Sequence, residues 1–238
     1  MVDYIDGEII AIDKPLHWTS FDVVNRVRGM LCRTLGVKKL KVGHTGTLDP
    51  LATGVVIVCT GKKTKQIDEL MAHSKEYVAT LQLGATTPSY DLEHPIDATF
   101  PTSHITRELI EQVLPTFWGE QWQVPPIYSA VKINGKRAYD YARKGQEEDV
   151  ELKAKLLVID EIELLNFDAE TMQLTIRVVC SKGTYIRALA RDIGERLHSG
   201  AHLIALRRTR VGQQSVDDCL TIEQFQQRLE NEQRLNTN

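Results

Sequence analysis

The segment Gly43-His44-Thr45-Gly46-Thr47-Leu48-Asp49-Pro50-Leu51-Ala52-Thr53-Gly54 holds the residue types best suited to chemistry. Its glycines, threonines and Asp-Pro step disfavour regular structure, and loops of that composition are where functional groups usually sit. Pro50 pushes the residue before it into extended backbone, so the Asp49 carboxylate is presented from a stiff support. Ionised, that carboxylate is a nucleophile. In a cleft poor in water it stays ionised only with a cation within a few ångströms, and Arg187 is the candidate. The plainer reading makes Asp49 the cap of a turn and Arg187 a surface helix charge, and spacing alone leaves both open.

Phosphate chemistry fits less well. Gly61-Lys62-Lys63-Thr64 contains a Gly-Lys step, but a phosphate-cradling loop of the form G-x-x-x-x-G-K-[ST] would need glycine at Val56 and Ser or Thr at Lys63. A phosphorylated Asp49 would lack a second acidic residue close by to help hold magnesium. Lys plus Arg number 29 against 32 Asp plus Glu, a net charge of −3, so no global cationic field announces a polyanion. The basic residues are nevertheless clustered. Arg33, Lys38, Lys39 and Lys41 precede the loop, and Lys62, Lys63 and Lys65 follow it. Lys132, Lys136, Arg137, Arg143 and Lys144 form a third group, and Arg207, Arg208 and Arg210 a fourth. Solvated faces are the usual reason for such clusters. Three of the groups interleave with Gly and aromatic residues, as in Tyr128-Ser129-Ala130-Val131-Lys132 and Tyr139 to Arg143, which suits phosphate contacts and base stacking on a folded RNA.

The elements that must hold these residues follow from periodicity. The segment Glu8 to Pro15 reads as a short strand that must stop at Pro15. Thr19 with Asp22 forms a capping box for a helix in which Phe21, Val24, Val27 and Leu31 recur, and Gly36 ends it. Val55–Cys59 reads as a buried strand, and Tyr77, Ala79, Leu81 and Leu83 alternate as a strand with one buried face. Ile105 to Phe117 has helical spacing, and the stretch around Val124-Pro125-Pro126 is irregular. Leu156–Leu165 and Leu174–Cys180 are strands. Ile186, Leu189, Ala190, Ile193 and Leu197 form one apolar stripe, with Arg187 about 100° from its centre and free to serve a cleft. Thr221 and Gln224 box the start of a last helix with Ile222, Phe225 and Leu229 inward. Strands and helices interleave without a βαβ rhythm, so the fold class is α+β, a mixed, mostly antiparallel central sheet with flanking helices.

Composition adds boundaries. The 42% hydrophobic and 26% charged residues of this 238-residue chain suit one large globular domain. The longest apolar run, Val55–Cys59, is far short of the roughly 20 residues of a membrane-spanning helix, and Asp3, Asp6 and Glu8 replace a basic signal-peptide start. Cys32, Cys59, Cys180 and Cys219 are far apart and read as reduced core thiols, which points to the cytoplasm. The acidic run Glu147-Glu148-Asp149 has no neighbour in kind except Glu151.

Four separated segments in order, Asp13-Lys14-Pro15, Lys41 to Gly54, Tyr128-Ser129-Ala130 and Ser181-Lys182-Gly183-Thr184-Tyr185-Ile186-Arg187, together resemble the bacterial tRNA pseudouridine synthases of the TruB type. The similarity runs from about Gly7 to about Leu229. The resemblance implies the pseudouridine synthase fold, a catalytic domain over 1–230 and a short polar tail over 231–238. It makes Asp49 the catalytic aspartate, Tyr77 the residue that stacks on the target base, and Arg187 the partner of the aspartate. His44 would support the reorganised T loop, Tyr185 and Leu206 would line the uracil pocket, and Asp91 would help orient the base. Lys14 and Pro15 belong to a motif taken as structural support.

The implied reaction converts uridine 55 in the T loop of tRNA to pseudouridine. The partner is the T arm of tRNA, with no membrane, no required protein partner and a monomeric enzyme. Atoms and oxidation state are unchanged, so neither cofactor nor metal is expected. Three departures from the family pattern stand out. Pro88 and His94 occupy unusual positions in Thr87-Pro88-Ser89-Tyr90-Asp91-Leu92-Glu93-His94, which bears on RNA contacts there. Gly61-Lys62-Lys63-Thr64-Lys65 is more basic than usual. Many relatives continue past the position of Asn238 into a small RNA-binding domain, so affinity for tRNA is expected to rest on the basic groups above and to fall steeply with salt. Two rival readings are a tRNA-binding or folding chaperone that kept the pocket, and the same chemistry on another RNA, as guide-directed relatives perform it.

Overall fold

Thr19 starts the first long helix as its sequence demands. Its Oγ1 accepts from the Asp22 amide at 3.0 Å while the Asp22 carboxylate accepts from the Thr19 amide at 2.8 Å, and Gly36 closes the helix at φ 66°. The computed structural model describes residues 2–237 other than 130, 134, 135, 144 and 146–150, and for 132, 133, 136, 137, 236 and 237 the backbone alone. The expectations attached to Ala130, Lys144 and the Glu147-Glu148-Asp149 run lie outside the described residues.

In chain order the first elements are β1 (Ile9–Lys14), α1 (Ser20–Leu35), β2 (Val42–His44), β3 (Ala52–Thr60), α2 (Ile67–Met71), β4 (Lys75–Leu83), β5 (Ala85–Thr86) and β6 (Ala98–Thr99). Next come α3 (Arg107–Val113), β7 (Gly119–Gln123), β8 (Lys132–Ile133), β9 (Lys136–Arg137), α4 (Ala138–Ala142) and β10 (Lys155–Asp168). The last are β11 (Gln173–Cys180), α5 (Ile186–Arg196), β12 (Ala201–Val211), β13 (Gln214–Ser215) and α6 (Ile222–Thr237). The ladders β1–β3, β2–β3, β7–β10, β10–β11 and β12–β13 are all antiparallel, and Ile12 makes a single parallel bridge to Leu220. Helices and a mixed, mostly antiparallel sheet make this the α+β arrangement that the residue pattern predicts.

The contacts divide the chain into two units, Met1–Tyr77 with Arg207–Asn238, and Val78–Leu206. In the first, Lys14 of β1 stands opposite Gly54 of β3, and His44 of β2 opposite Val58. Val55 to Cys59 are buried without a break, because β3 is covered on both faces, which is why its sequence shows no alternation. Val55, Ile57, Cys59 and Val211 form a cluster against which Ile67, Leu70, Val216 and Cys219 pack. Helix α1 buries Val23, Val24, Val27, Met30 and Leu31, and α6 buries Ile222, Phe225 and Leu229. Phe21, expected on the inward stripe of α1, is 58% exposed, since the helix turns Val23 and Val24 inward instead.

In the second unit β4 alternates as predicted, with Ala79, Leu81 and Leu83 buried. Leu174, Ile176 and Val178 of β11 and the stripe Ile186, Leu189, Ala190, Ile193 of α5 supply the rest of the apolar interior. The predicted helix over Ile105–Phe117 is a short α3 that passes into a 3-10 turn, Leu114–Phe117, at Pro115, whose ring cannot continue an α-helix. Cys59 and Cys180 are core thiols, whereas Cys32 and Cys219 are only half-buried. Residues 231–237, expected as a polar tail, carry α6 on to Thr237. Among the described residues no helix is long and apolar enough to cross a membrane, and no group of three or more His, Cys, Asp or Glu could hold a metal ion.

Candidate active site

Asp49 sits in a turn between β2 and β3 whose backbone is held residue by residue. Leu48 both donates to and accepts from the buried hydroxyl of Ser20, at 2.8 and 3.0 Å. The Asp49 carbonyl accepts from the Ala52 amide at 3.0 Å, a tight turn with Pro50 at its second position. The Pro50 carbonyl accepts from the His17 amide at 2.8 Å and from Lys14 Nζ at 3.4 Å. On the upstream side, the Gly46 and Thr47 carbonyls face Arg208 Nη2 and Nη1 at 3.4 and 3.5 Å, the outer limit for such a bond. Five successive carbonyls, Gly46 to Pro50, therefore have donors. A loop that looked irregular in sequence is fixed by side chains from β1, α1 and β12.

Two buried cations lie under this turn. Lys14 is 0% exposed and donates to the Trp18 and Pro15 carbonyls at 2.6 and 2.9 Å. Burial pushes its ammonium down to about 8. The negative charge of Asp49 opposes that fall and Arg208 adds to it. Arg208 is 1% exposed and also donates Nε to the Val55 carbonyl at 2.7 Å. Gly54 makes room for it: at φ +109°, a Cβ there would stand 2.1 Å from the Arg208 carbonyl oxygen. Of the fourth basic group only Arg208 is thus turned inward. Arg207 pairs with Asp13 at 2.8 Å and Arg210 with Glu76 at 3.2 Å, so these arginines hold the fold together more than they display charge. His44 is half-buried, and burial lowers its imidazole below the usual histidine range. Tyr77 is buried at the start of β4.

The second unit gathers Asp91 and Arg187. Arg187, expected to be free to serve a cleft, is only 6% exposed, which excludes a surface helix charge. Its Nε lies 3.7 Å from Asp91 Oδ2, and its terminal nitrogens donate to the Ser89 and Tyr128 carbonyls at 3.2 and 2.9 Å. Asp91 is held in turn by the Ser89 hydroxyl at 2.6 Å and the Glu93 amide at 3.0 Å. Tyr185 precedes α5, and buried Gln123 grips both its backbone groups, accepting from the amide at 2.9 Å and donating to the carbonyl at 3.2 Å. Leu206 is half-buried on β12. The unusual His94 packs its ring on Tyr128, centroids 4.3 Å apart.

The structure therefore brings Asp91 and Arg187 together and sets Asp49 beside Lys14, with Asp49, His44 and Tyr77 in the first unit and Asp91, Tyr185, Arg187 and Leu206 in the second. Sequence reasoning missed Ser20, Arg208 and Gln123. A serine one residue past a complete cap and a glutamine before two prolines were the available signals, and neither is specific. Among the described residues four buried side-chain atoms have no hydrogen-bond partner, His44 Nδ1, Thr45 Oγ1, His94 Nδ1 and Ser129 Oγ, and all fall in the segments singled out above.

The architecture is shared with solved structures. A chain of a Cbf5-Nop10-Gar1 complex superposes with a TM-score of 0.67 at 29% identity, over 94% of this chain and 54% of that one. A chain of an H/ACA RNP bound to a substrate RNA containing 2'-deoxyuridine gives 0.65 at 28%, again over 94% and 54%. The protein spans about half the length of those chains. A family model for the N-terminal domain of TruB family pseudouridylate synthases matches residues 33–186, and one for the tRNA pseudouridylate synthase B C-terminal domain matches 187–237. The chain belongs to the TruB family of pseudouridylate synthases and is an enzyme of that class. Among its relatives, tRNA pseudouridine synthase B of Phocaeicola vulgatus is 64% identical over 98% of this chain and 97% of its own length. The same-named protein of Flavobacterium johnsoniae is 48% identical over 96% and 98%.

Proposed function

We propose that this enzyme converts uridine 55 in the T loop of tRNA to pseudouridine, with Asp49 as its catalytic carboxylate, acting as a cytoplasmic monomer that needs no protein partner. The tRNA substrate rests on the names of relatives as similar as 64% over nearly the whole chain. The observation that carries the catalytic assignment is the bracing of Asp49: both its neighbours are pinned to the Lys14–Ser20 segment, and a buried ammonium feels its charge. A carboxylate on so fixed a backbone keeps one direction of attack, the positioning that nucleophilic chemistry needs.

The reaction breaks the N1–C1′ bond of uridine, turns the uracil, and joins C5 to C1′. The proton leaves C5 and one arrives at N1, so the product is an isomer. Each route open to a carboxylate, attack on C1′, attack on C6 or removal of the C2′ proton, needs Asp49 charged and held still. The base must first leave its stack, at a cost of a few kcal/mol. Stacking on Tyr77 returns about 1–3 kcal/mol of that. The proposal gives Arg187 to the Asp49 carboxylate, Tyr185 and Leu206 to the walls of the uracil pocket, Asp91 to orienting the base and His44 to the T loop.

The test is tritium release from C5-labelled uridine in unmodified tRNA. Purified enzyme should release it alone, and Asp49→Asn should abolish release while tRNA binding stays within about tenfold. Binding without any release by the unaltered chain would instead favour an RNA-folding role, and joint loss of binding and turnover in Asp49→Asn would make Asp49 structural.

A further inference from the structure

Ser20 stands 28 residues from Leu48 in sequence, yet its hydroxyl takes the Leu48 amide at 2.8 Å and gives its proton to the Leu48 carbonyl at 3.0 Å. One side chain thus satisfies both backbone groups of the residue immediately before Asp49. Ser20 is 2% exposed and Leu48 3%, so water does not compete for either bond. Nor is the hydroxyl needed by its own helix. Thr19 and Asp22 already complete the capping box of α1, and Ser20 is simply the first helical residue behind it. Because that first turn is locked, the Ser20 side chain has a fixed origin. On the other side of Asp49, Pro50 is held by His17 and Lys14, residues of the same segment. The His17 backbone is left-handed, at φ 67°, a conformation that is unfavourable for a residue with a Cβ and persists where surroundings impose it.

We infer that Ser20 is a positioning residue for catalysis: its two-way bond to Leu48 fixes the direction in which Asp49 presents its carboxylate. The inference rests on the reading of Asp49 as the catalytic group. Ser20 touches no reacting atom, and its effect is exerted through the backbone of one residue, Leu48. A misplacement of about 1 Å costs up to about 100-fold in rate, whereas binding of a tRNA spread over a large surface does not depend on the angle of one carboxylate.

The experiment compares Ser20→Ala, Ser20→Cys and Ser20→Thr in the full chain by kcat, KM for tRNA, melting temperature and hydrogen exchange at the Leu48 amide. Ser20→Cys keeps the packing and weakens both bonds, so it remains informative should Ser20→Ala fold poorly. The expected result is a fall in kcat of about 10- to 100-fold in the Ala and Cys variants, with KM within about threefold, faster exchange at Leu48, and kcat largely restored by Thr. Unchanged kcat despite faster Leu48 exchange overturns the proposal. So does unchanged exchange, or a loss of kcat, KM and melting temperature together that Thr does not rescue. Asp49→Asn is run alongside. Wild-type turnover in that variant would sink the reading of Asp49 itself, while the Leu48 exchange would still report whether the clip exists.

Discussion

Arg187 directs its Nε at the carboxylate of Asp91, 3.7 Å away, and donates from its terminal nitrogens to the carbonyls of Ser89 and Tyr128. Both partners of the ion pair are more than nine-tenths buried, and the same short segment, Ser89 to Asp91, supplies a carbonyl and a carboxylate to one guanidinium. Asp91 was expected to orient a base. Its geometry gives it a prior task, which is to hold the arginine that opens α5.

Removing that charge should therefore be expensive. Asp91→Asn takes a carboxylate away from beside a buried guanidinium, and breaking a buried pair from one side costs about 3–5 kcal/mol. Urea unfolding should register a loss of that order, and adding Arg187→Met should recover part of it. Additive losses in the double variant would mean the two side chains do not interact.

Gly54→Ala tests the approach of backbone to backbone below the Asp49 turn. The added Cβ would meet the Arg208 carbonyl oxygen at 2.1 Å in a region of φ that residues with a Cβ avoid, so β3 must shift. A loss above about 3 kcal/mol is expected, on the scale of the severest single substitutions. A loss below about 1 kcal/mol would show that the strand can move aside.

Lys14 gives the fold a pH dependence of definite sign. Its folded pKa of about 8 lies below the ordinary 10.5, chiefly through burial. Between those values the unfolded chain holds more protons than the folded one, so this group's contribution rises with pH, while below about 8 the full penalty of the buried charge is present. Stability of the protein relative to Lys14→Met should increase from pH 8 to pH 10 in chemical denaturation. A constant difference over that range would return Lys14 to its ordinary value.

The basic groups should separate by function. Lys38, Lys39 and Lys41 are exposed. Neutralising each should lower the slope of log affinity for tRNA against log salt by about one where it meets a phosphate. Arg208→Met should leave that slope alone and lower the melting temperature, because its guanidinium is spent on carbonyls of its own fold. A reduced slope in Arg208→Met would place this arginine at the RNA.

What could be read in advance was local. Both capping boxes form as written: the Thr221 amide donates to Gln224 Oε1 at 2.8 Å and its hydroxyl accepts from the Gln224 amide at 3.2 Å. The alternation of β4 and the stripe of α5 also hold, since period alone decides which face is buried. Strand β12 was missed. Its Leu206-Arg207-Arg208-Thr209-Arg210 looks like a solvated basic patch because no local rule says that a guanidinium will find three carbonyls far away in the chain. β7 was missed for a related reason: Gly-Glu-Gln-Trp-Gln has no apolar period, and only its ladder to β10 makes it a strand. The Asp49 turn was legible as a motif, yet the groups that hold it, Ser20 and Arg208, depend on folding and left no mark on spacing.

Arg208 reaches back across 162 positions to the carbonyl of Gly46. During synthesis the chain must therefore emerge from the ribosome well beyond its midpoint before the turn it translated early can set. A nascent polypeptide lacking β12 has Asp49 but not the clamp on its turn, which ties the setting of that turn to near-completion of the molecule.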